Sequence, residues 1–296
     1  MATVAQPATL GRRLRRWEGL PYALILPTVA YLGLFFAWPM VQAFELAFHV
    51  EGTWTVAPFR TMANDVNFNE ALGFTLLLVG VIVPVQFVLA LAMALIVNAK
   101  LHGRGLFLAI FILPLAISDL AAGLVWQAIL TERGYLNTVF EKIGLIDQEY
   151  IWLDPTKSNH LLIAVVVAEL WRSTAFVMVI FLAGLQGIPH EYTEAAEVFG
   201  AGFFQRVRQV TLPLLKPSIQ VALLFRIIFA FEAFAVIIAI TGRAKQTLAT
   251  EAWRWQAEYF DSHVAAAYSA LILLLSLISA GLVVWLLRTP REQMLR

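Results

Sequence analysis

The sequence predicts an all-α membrane protein of six transmembrane helices, with a helix–turn–helix lying on one aqueous face. Three observations carry that prediction. Of 296 residues, 60% are hydrophobic and only 14% are Asp, Glu, Lys or Arg, whereas soluble domains run near a quarter charged. Residues 19–44, 71–99 and 262–287 contain no charged side chain at all, and each exceeds the roughly 20 residues a helix needs to cross hydrocarbon. Residues 105–130, 160–187 and 217–241 are comparably apolar but hold isolated charges: Asp119; Glu169 and Arg172; Arg226 and Glu232. Backbone groups in lipid must be satisfied internally, and no two-residue alternation marks a barrel, so helices are the remaining solution.

The elements follow in order. The first span covers about 19–46, preceded by a basic segment, 1–18, with Arg12, Arg13, Arg15 and Arg16. Its apolar run is too long for a signal-peptide core and no small-residue cleavage site follows, so it reads as an uncleaved anchor. The other spans are expected at 71–99, 105–130, 160–187, 217–241 and 262–287, giving a permeating domain of 19–287 and a tail of 288–296. With the N-terminus in the cytoplasm, inner segments carry twelve Lys or Arg against seven outside, the asymmetry expected of inner loops. Both termini are therefore expected on the cytoplasmic side of the membrane. Trp54, Trp152, Trp253 and Trp255 fall near the outer span ends, where aromatic anchors sit at headgroup level.

Several function classes lose support at once. A formal net charge of +1 gives no field to attract nucleic acid. There is no cysteine, and the five histidines are scattered without ligand spacing, so no metal or cofactor site is expected. No phosphate-cradling Gly-x-x-x-x-Gly-Lys-Ser/Thr run occurs, so the chain is not expected to bind ATP itself. No nucleophile–base pair stands out, and the chain is expected to be non-catalytic.

The segment between spans four and five, 188–216, is the most informative. Pro189 closes one helix and can open the next. Glu191, Glu194 and Glu197 recur at every third position, near a helix N-terminus that favours acids. Ala195 and Ala196 are strong helix formers. Gly200 and Gly202 permit a sharp turn. A second short helix then places Phe203, Phe204, Val207 and Val210 on one apolar side, and Pro213 is expected to stop it before span five. By itself this fits either a connector lying flat at the interface or a knob for a partner's groove.

Glu194-Ala195-Ala196, then Gly200, then Leu212-Pro213 resembles the signature loop of ABC-importer permeases, in the branch that takes up maltose-like sugars and glycerol phosphate. The resemblance extends to Leu26-Pro27, Leu113-Pro114, Glu169-Leu170-Trp171-Arg172 and Phe225-Arg226. Two positions depart from the family pattern: Phe199 stands where an aspartate usually precedes the motif glycine, and Glu232 and Ala235 stand where many relatives carry a base and an aspartate. The resemblance implies a type I importer fold in which 188–216 couples the spans to an ATPase, through Glu194, Ala195, Ala196, Gly200, Leu212 and Pro213. It further implies a second homologous permease, two ATPase subunits that bind the ATP and magnesium, and an extracytoplasmic binding protein or lipoprotein that delivers substrate.

The charges inside the spans are costly in lipid and must face protein or water. They outline a candidate translocation path. Asp119, Glu169, Arg172, Arg226 and Glu232 would bind sugar hydroxyls, and Trp126 or Trp171 would stack on a ring. Glu169 and Arg172 share a helix face, whereas Arg226 and Glu232 point about 120° apart and need other partners. A helix-bracing role for the same charges stays open. An ion-gradient-driven transporter, using the acids as ion sites, is the alternative reading, and an intramembrane enzyme a third.

Overall fold

The computed structural model describes residues 20–99 and 102–288. The basic residues Arg12, Arg13, Arg15, Arg16, Lys100, Arg291 and Arg296, which carry much of the orientation argument, lie outside the described residues.

Among the described residues, five helical runs are long and apolar enough to cross a membrane, and a sharply bent pair brings the total to six if it counts as one span. The first run joins α1 (Leu20–Leu32) to α2 (Trp38–Phe48) through a π-turn at Gly33–Ala37. It is exposed along most of its length and packs on the bundle through α2. A two-stranded hairpin, β1 (His49–Val50) and β2 (Thr53–Trp54), and a short helix α3 (Ala57–Ala63) follow. The 31-residue α4 (Phe68–Asn98) comes next. At 1.5 Å per residue it measures about 46 Å, longer than the hydrocarbon it would cross.

The third apolar stretch is not one straight helix. α5 (Arg104–Ile112) runs into a 3₁₀ turn at Leu113–Ala116, and the run Asp119–Lys142, which begins with α6 (Asp119–Leu130), leaves at 102° to it. Pro114 cannot donate to the helical ladder, and Ser118 caps the new start by accepting a hydrogen bond from the Ala121 amide at 3.3 Å. α7 (Tyr135–Lys142) covers the loop beyond, and α8 (Ser158–Gln186) is the fourth long run. The small helices α9 (His190–Val198) and α10 (Phe203–Arg206) follow.

Here one expectation is corrected. Pro213 does not stop the second helix of the loop. The chain stays helical from Phe203 to Phe231, passing through a π-turn at Val207–Thr211 into α11 (Leu212–Phe231). The widened turn at Val207–Thr211 makes room for the proline ring, so the helix continues past Pro213 at the loss of the one hydrogen bond its missing N–H would have made. The fifth stretch breaks later, at residues 232–234, before α12 (Ala235–Thr241). α13 (Leu248–Ala257) and the last span, α14 (Ser262–Leu286), complete the bundle.

Tight crossings hold the bundle together. α4 and α8 share the most extensive seam, with Ala90, Ala94, Val177, Met178 and Phe181 in one apolar core. α6 crosses α12 at Gly123, where an added Cβ would lie 2.7 Å from that of Ala239. α8 crosses α11 at Gly184, where a Cβ would overlap Ser218 Oγ. Small residues at such crossings let backbones approach without a solvent-driven force. At the far end from α9, Asp65 gathers three elements. Its carboxylate accepts hydrogen bonds from Trp255 Nε1 and Tyr268 Oη, both at 2.9 Å, and from the Asn67 amide at 3.0 Å.

The ion ladder and the exposed hairpin

Two places in the fold gather the polar chemistry. The first lies at mid-span, where α4, α6, α8 and α11 meet. Glu169, 1% exposed, accepts a hydrogen bond from the guanidinium of Arg226, 2% exposed, at 3.1 Å. The same carboxylate lies 3.4 Å from Arg172 Nη2, and Arg172 Nη1 reaches Asp119 Oδ1 at 2.6 Å. The four charges alternate along Arg226–Glu169–Arg172–Asp119 and sum to zero. Alternation is what makes the burial tolerable, since an unpaired ion there would carry the full desolvation penalty.

Exposure rises along the ladder, from the buried pair Arg226 and Glu169 through Arg172 at 16% to Asp119 at 55%. Asp119 owes its position to the break in the third stretch: it is the first residue of α6, at a helix N-terminus that favours an acid. Broken helices at membrane depth are accommodated where the freed backbone is covered by protein or lines a polar cavity.

Two ladder members were not anticipated. Gln86 Nε2 donates to Ser173 Oγ at 2.8 Å and to the Glu169 carbonyl at 3.2 Å, and Ser173 Oγ lies 3.3 Å from Glu169 Oε2. Gln86 Oε1, Arg172 Nε and Arg226 Nε remain buried without a partner. Gln86 was detectable: in 71–99 the other side chains able to hydrogen-bond are Thr75 near the start and Asn98 at the end.

The remaining path candidates divide. Trp126 and Trp171 meet edge to face, centroids 6.1 Å apart. Glu232 does not join them. It stands exposed at the end of α11 and lines a separate cavity of about 340 Å³ with Ser269 and Ser276.

The second place is the hairpin of α9 and α10. Gly200 takes φ +79°, and the Ala201 and Gly200 amides bond back to the carbonyls of Ala196 and Glu197 at 2.9 and 2.8 Å. That is a left-handed helix stop which only glycine enters without strain. Thr193 and Ala196 are half-buried, while Glu191, Glu194 and Ala195 are exposed. Glu197 pairs with Arg206 and ties the two arms together. Phe199 is 90% and Phe204 85% exposed, and Phe203 is exposed as well. Of the side expected to be apolar, Val207 and Val210 are half-buried and Phe203 lines a cavity with Val207, while Phe204 is exposed. Leu212 is half-buried and Pro213 exposed at the base of α11.

Apolar helices broken at mid-span around a balanced set of buried charges define a multi-pass membrane protein. The pattern of binding-protein-dependent transport system inner membrane components matches residues 86–292. The chain belongs to that family and is the permease subunit of an ABC importer. It is 33% identical over 231 residues to the trehalose/maltose transport system permease protein MalF of Thermococcus litoralis, covering 75% of this chain and 77% of that one. It is 29% identical over 272 residues to the sn-glycerol-3-phosphate transport system permease protein UgpA of Yersinia pestis, covering 86% and 90%. The fold is shared with a chain of the bacterial alginate ABC transporter solved with its pentasaccharide-bound periplasmic protein (TM-score 0.81, 24% identity, 94% and 97% of the two chains).

Proposed function

We propose that this permease moves a sugar, an oligosaccharide or a related polyol or glycerol phosphate, delivered by an extracytoplasmic binding protein. It works beside a second homologous permease and two ATPase subunits, which hold ATP and magnesium. In this reading the bent pair is one span, making six, and both termini and the hairpin of 188–216 face the cytoplasm. The chain itself catalyses no reaction.

The observation that carries the reading is the hairpin. It presents acids and aromatic rings outward from a rigid, glycine-stopped frame, and an exposed apolar tip of this kind fits a partner's groove. Closure of the ATPase pair would push α9. Because α10 continues without interruption into α11, a displacement of the hairpin reaches Arg226, and through it Glu169, as movement of a packed element. Glu194, Ala195, Ala196 and Gly200 form the docking side, with Leu212 and Pro213 as the base. The ladder residues Asp119, Glu169, Arg172 and Arg226, with Trp126 and Trp171, line the path, and Glu232 stands apart from it in its own cavity.

The test is Glu194→Lys in the assembled importer. Uptake falls by at least about tenfold while the protein remains in the membrane, the loss expected when a docking contact worth more than about 1.4 kcal/mol is reversed in charge. Unchanged uptake refutes the coupling role. Transport that persists without ATP and collapses with the proton gradient would favour an ion-driven mechanism instead.

A further inference from the structure

A cavity of about 320 Å³ opens at the end of the α6–α8 seam remote from the hairpin, within the size range of small-molecule pockets. Its walls include Trp126, Tyr150, Trp152 and His160. Tyr150 meets Trp152 edge to face at 4.7 Å and lies 5.6 Å from the His160 ring.

The wall is braced from behind. Asn137, 2% exposed, accepts a hydrogen bond from Trp152 Nε1 at 2.7 Å and donates to the carbonyls of Glu132 and Tyr150 at 2.7 and 2.8 Å. The polar edge of Trp152 is thereby used up. That of Trp126 is not: its indole N–H is buried and has no partner. A desolvated donor left unsatisfied costs roughly 1–3 kcal/mol, and a small rotation of the indole toward the cavity would let a ligand acceptor recover it. Trp126 also touches Trp171, whose neighbour in sequence, Arg172, belongs to the ladder.

We propose that this cavity is a sugar-stacking subsite, which holds one pyranose ring against Trp126, Tyr150 and Trp152 before the ring passes Trp171 to the ladder. The chemistry fits a pyranose better than an acyl chain. Both present C–H groups to aromatic faces, but the sugar also offers hydroxyl oxygens to the Trp126 N–H and to the polar rim where Tyr150 Oη and His160 Nε2 lie 3.2 Å apart. The inference rests on the sugar-importer reading and adds to it a waiting position outside the mid-span charges.

Saturation-transfer NMR on the complete importer in lipid nanodiscs tests it, without ATP or binding protein, using maltose and trehalose as probes. The ring C–H protons of a bound probe receive saturation from the aromatic wall. Trp126→Leu and Tyr150→Leu each weaken probe affinity by about tenfold, as expected for losing a stacking partner. Trp126→Phe keeps the ring and loses only the N–H, so it weakens affinity by about threefold. A signal indifferent to both leucine variants overturns the subsite, as does a signal that responds to Trp126 alone. A signal seen in detergent that vanishes in nanodiscs also overturns it, because an acyl chain then fills the cavity. Intact sugar uptake alongside any of these results removes the subsite and leaves the importer reading standing. Failure of the importer to take up any sugar of a broad panel removes that reading, and the subsite with it.

Discussion

The ladder and the hairpin hold comparable numbers of charged side chains and treat them in opposite ways. At mid-span, Asp119, Glu169, Arg172 and Arg226 find one another within the chain and cancel. In the hairpin, Glu197 is paired with Arg206 while Glu191 and Glu194 stay exposed beside Phe199 and Phe204. The difference is set by solvent. An isolated ion in hydrocarbon is costly enough that charges inside the spans must be matched by the same fold that buries them. At the aqueous face an acid or an exposed ring costs little, so the surface can remain unfinished until a partner covers it. One region balances its charges within this chain, and the other leaves acids and rings exposed.

The largest expected effect breaks the completed region. Arg226→Ala leaves Glu169 buried against half its counter-charge, at a cost of about 3–5 kcal/mol, so membrane abundance and uptake fall together. The sharper variant is the double substitution Arg226→Met with Glu169→Leu, which removes both ions in similar volume. Abundance, followed by immunoblot of the membrane fraction, recovers to near the parental level because no lone charge remains, while uptake does not. Recovery of both would make the ladder a brace alone.

Next comes the joint between the regions. Gly184→Leu drives a side chain into Ser218 at the crossing of α8 with α11, and overpacking of this kind costs about 1–3 kcal/mol. Its thermal melt shifts down, and uptake falls further than the melt predicts if α11 must slide there. Gly184→Ala gives a smaller version of both.

The open region answers differently. Phe199→Ser removes a 90% exposed ring, so it leaves abundance and melting temperature unchanged. It weakens co-purification of the ATPase subunit by about tenfold, as for an interface anchor. A loss of abundance would mean that Phe199 serves the fold and not a partner.

The smallest effect concerns neither region but the Asp65 node at the opposite end. Burial alone would raise the Asp65 carboxyl, but hydrogen bonds from Asn67, Trp255 and Tyr268 outweigh it and hold the group below its ordinary value of 3.8. A depressed folded-state value stabilises above the unfolded-state value and is lost as pH falls through the folded one. Melting of the parental protein therefore declines below about pH 4, and Asp65→Asn flattens that limb of the profile.

Much of this was legible in residues whose cause is local. The hairpin turn follows from Gly200, the exposed acidic side of α9 from acids at every third position, and the spans from runs without charge. The ladder was half legible. Glu169 and Arg172 sit three apart on one helix, so their pairing follows from spacing. The Arg226–Glu169 and Asp119–Arg172 contacts join residues far apart in sequence, and no periodicity encodes which helices meet. The break before Asp119 was signalled by Pro114, yet proline is tolerated within membrane helices, as Pro84 in α4 and Pro217 in α11 demonstrate. The Asp65 node drew no attention because its acid stands outside the spans, where an aspartate is ordinary.

The chain contains no cysteine, so a single Ala195→Cys on the exposed side of α9 provides an unambiguous reporter. The direct test is labelling of that thiol by a membrane-impermeant maleimide, with and without the ATPase subunits. Labelling is expected only from the cytoplasmic side, rapid in the permease alone and suppressed once the ATPase binds. Equal labelling in both assemblies, or labelling from the outer side, would contradict it.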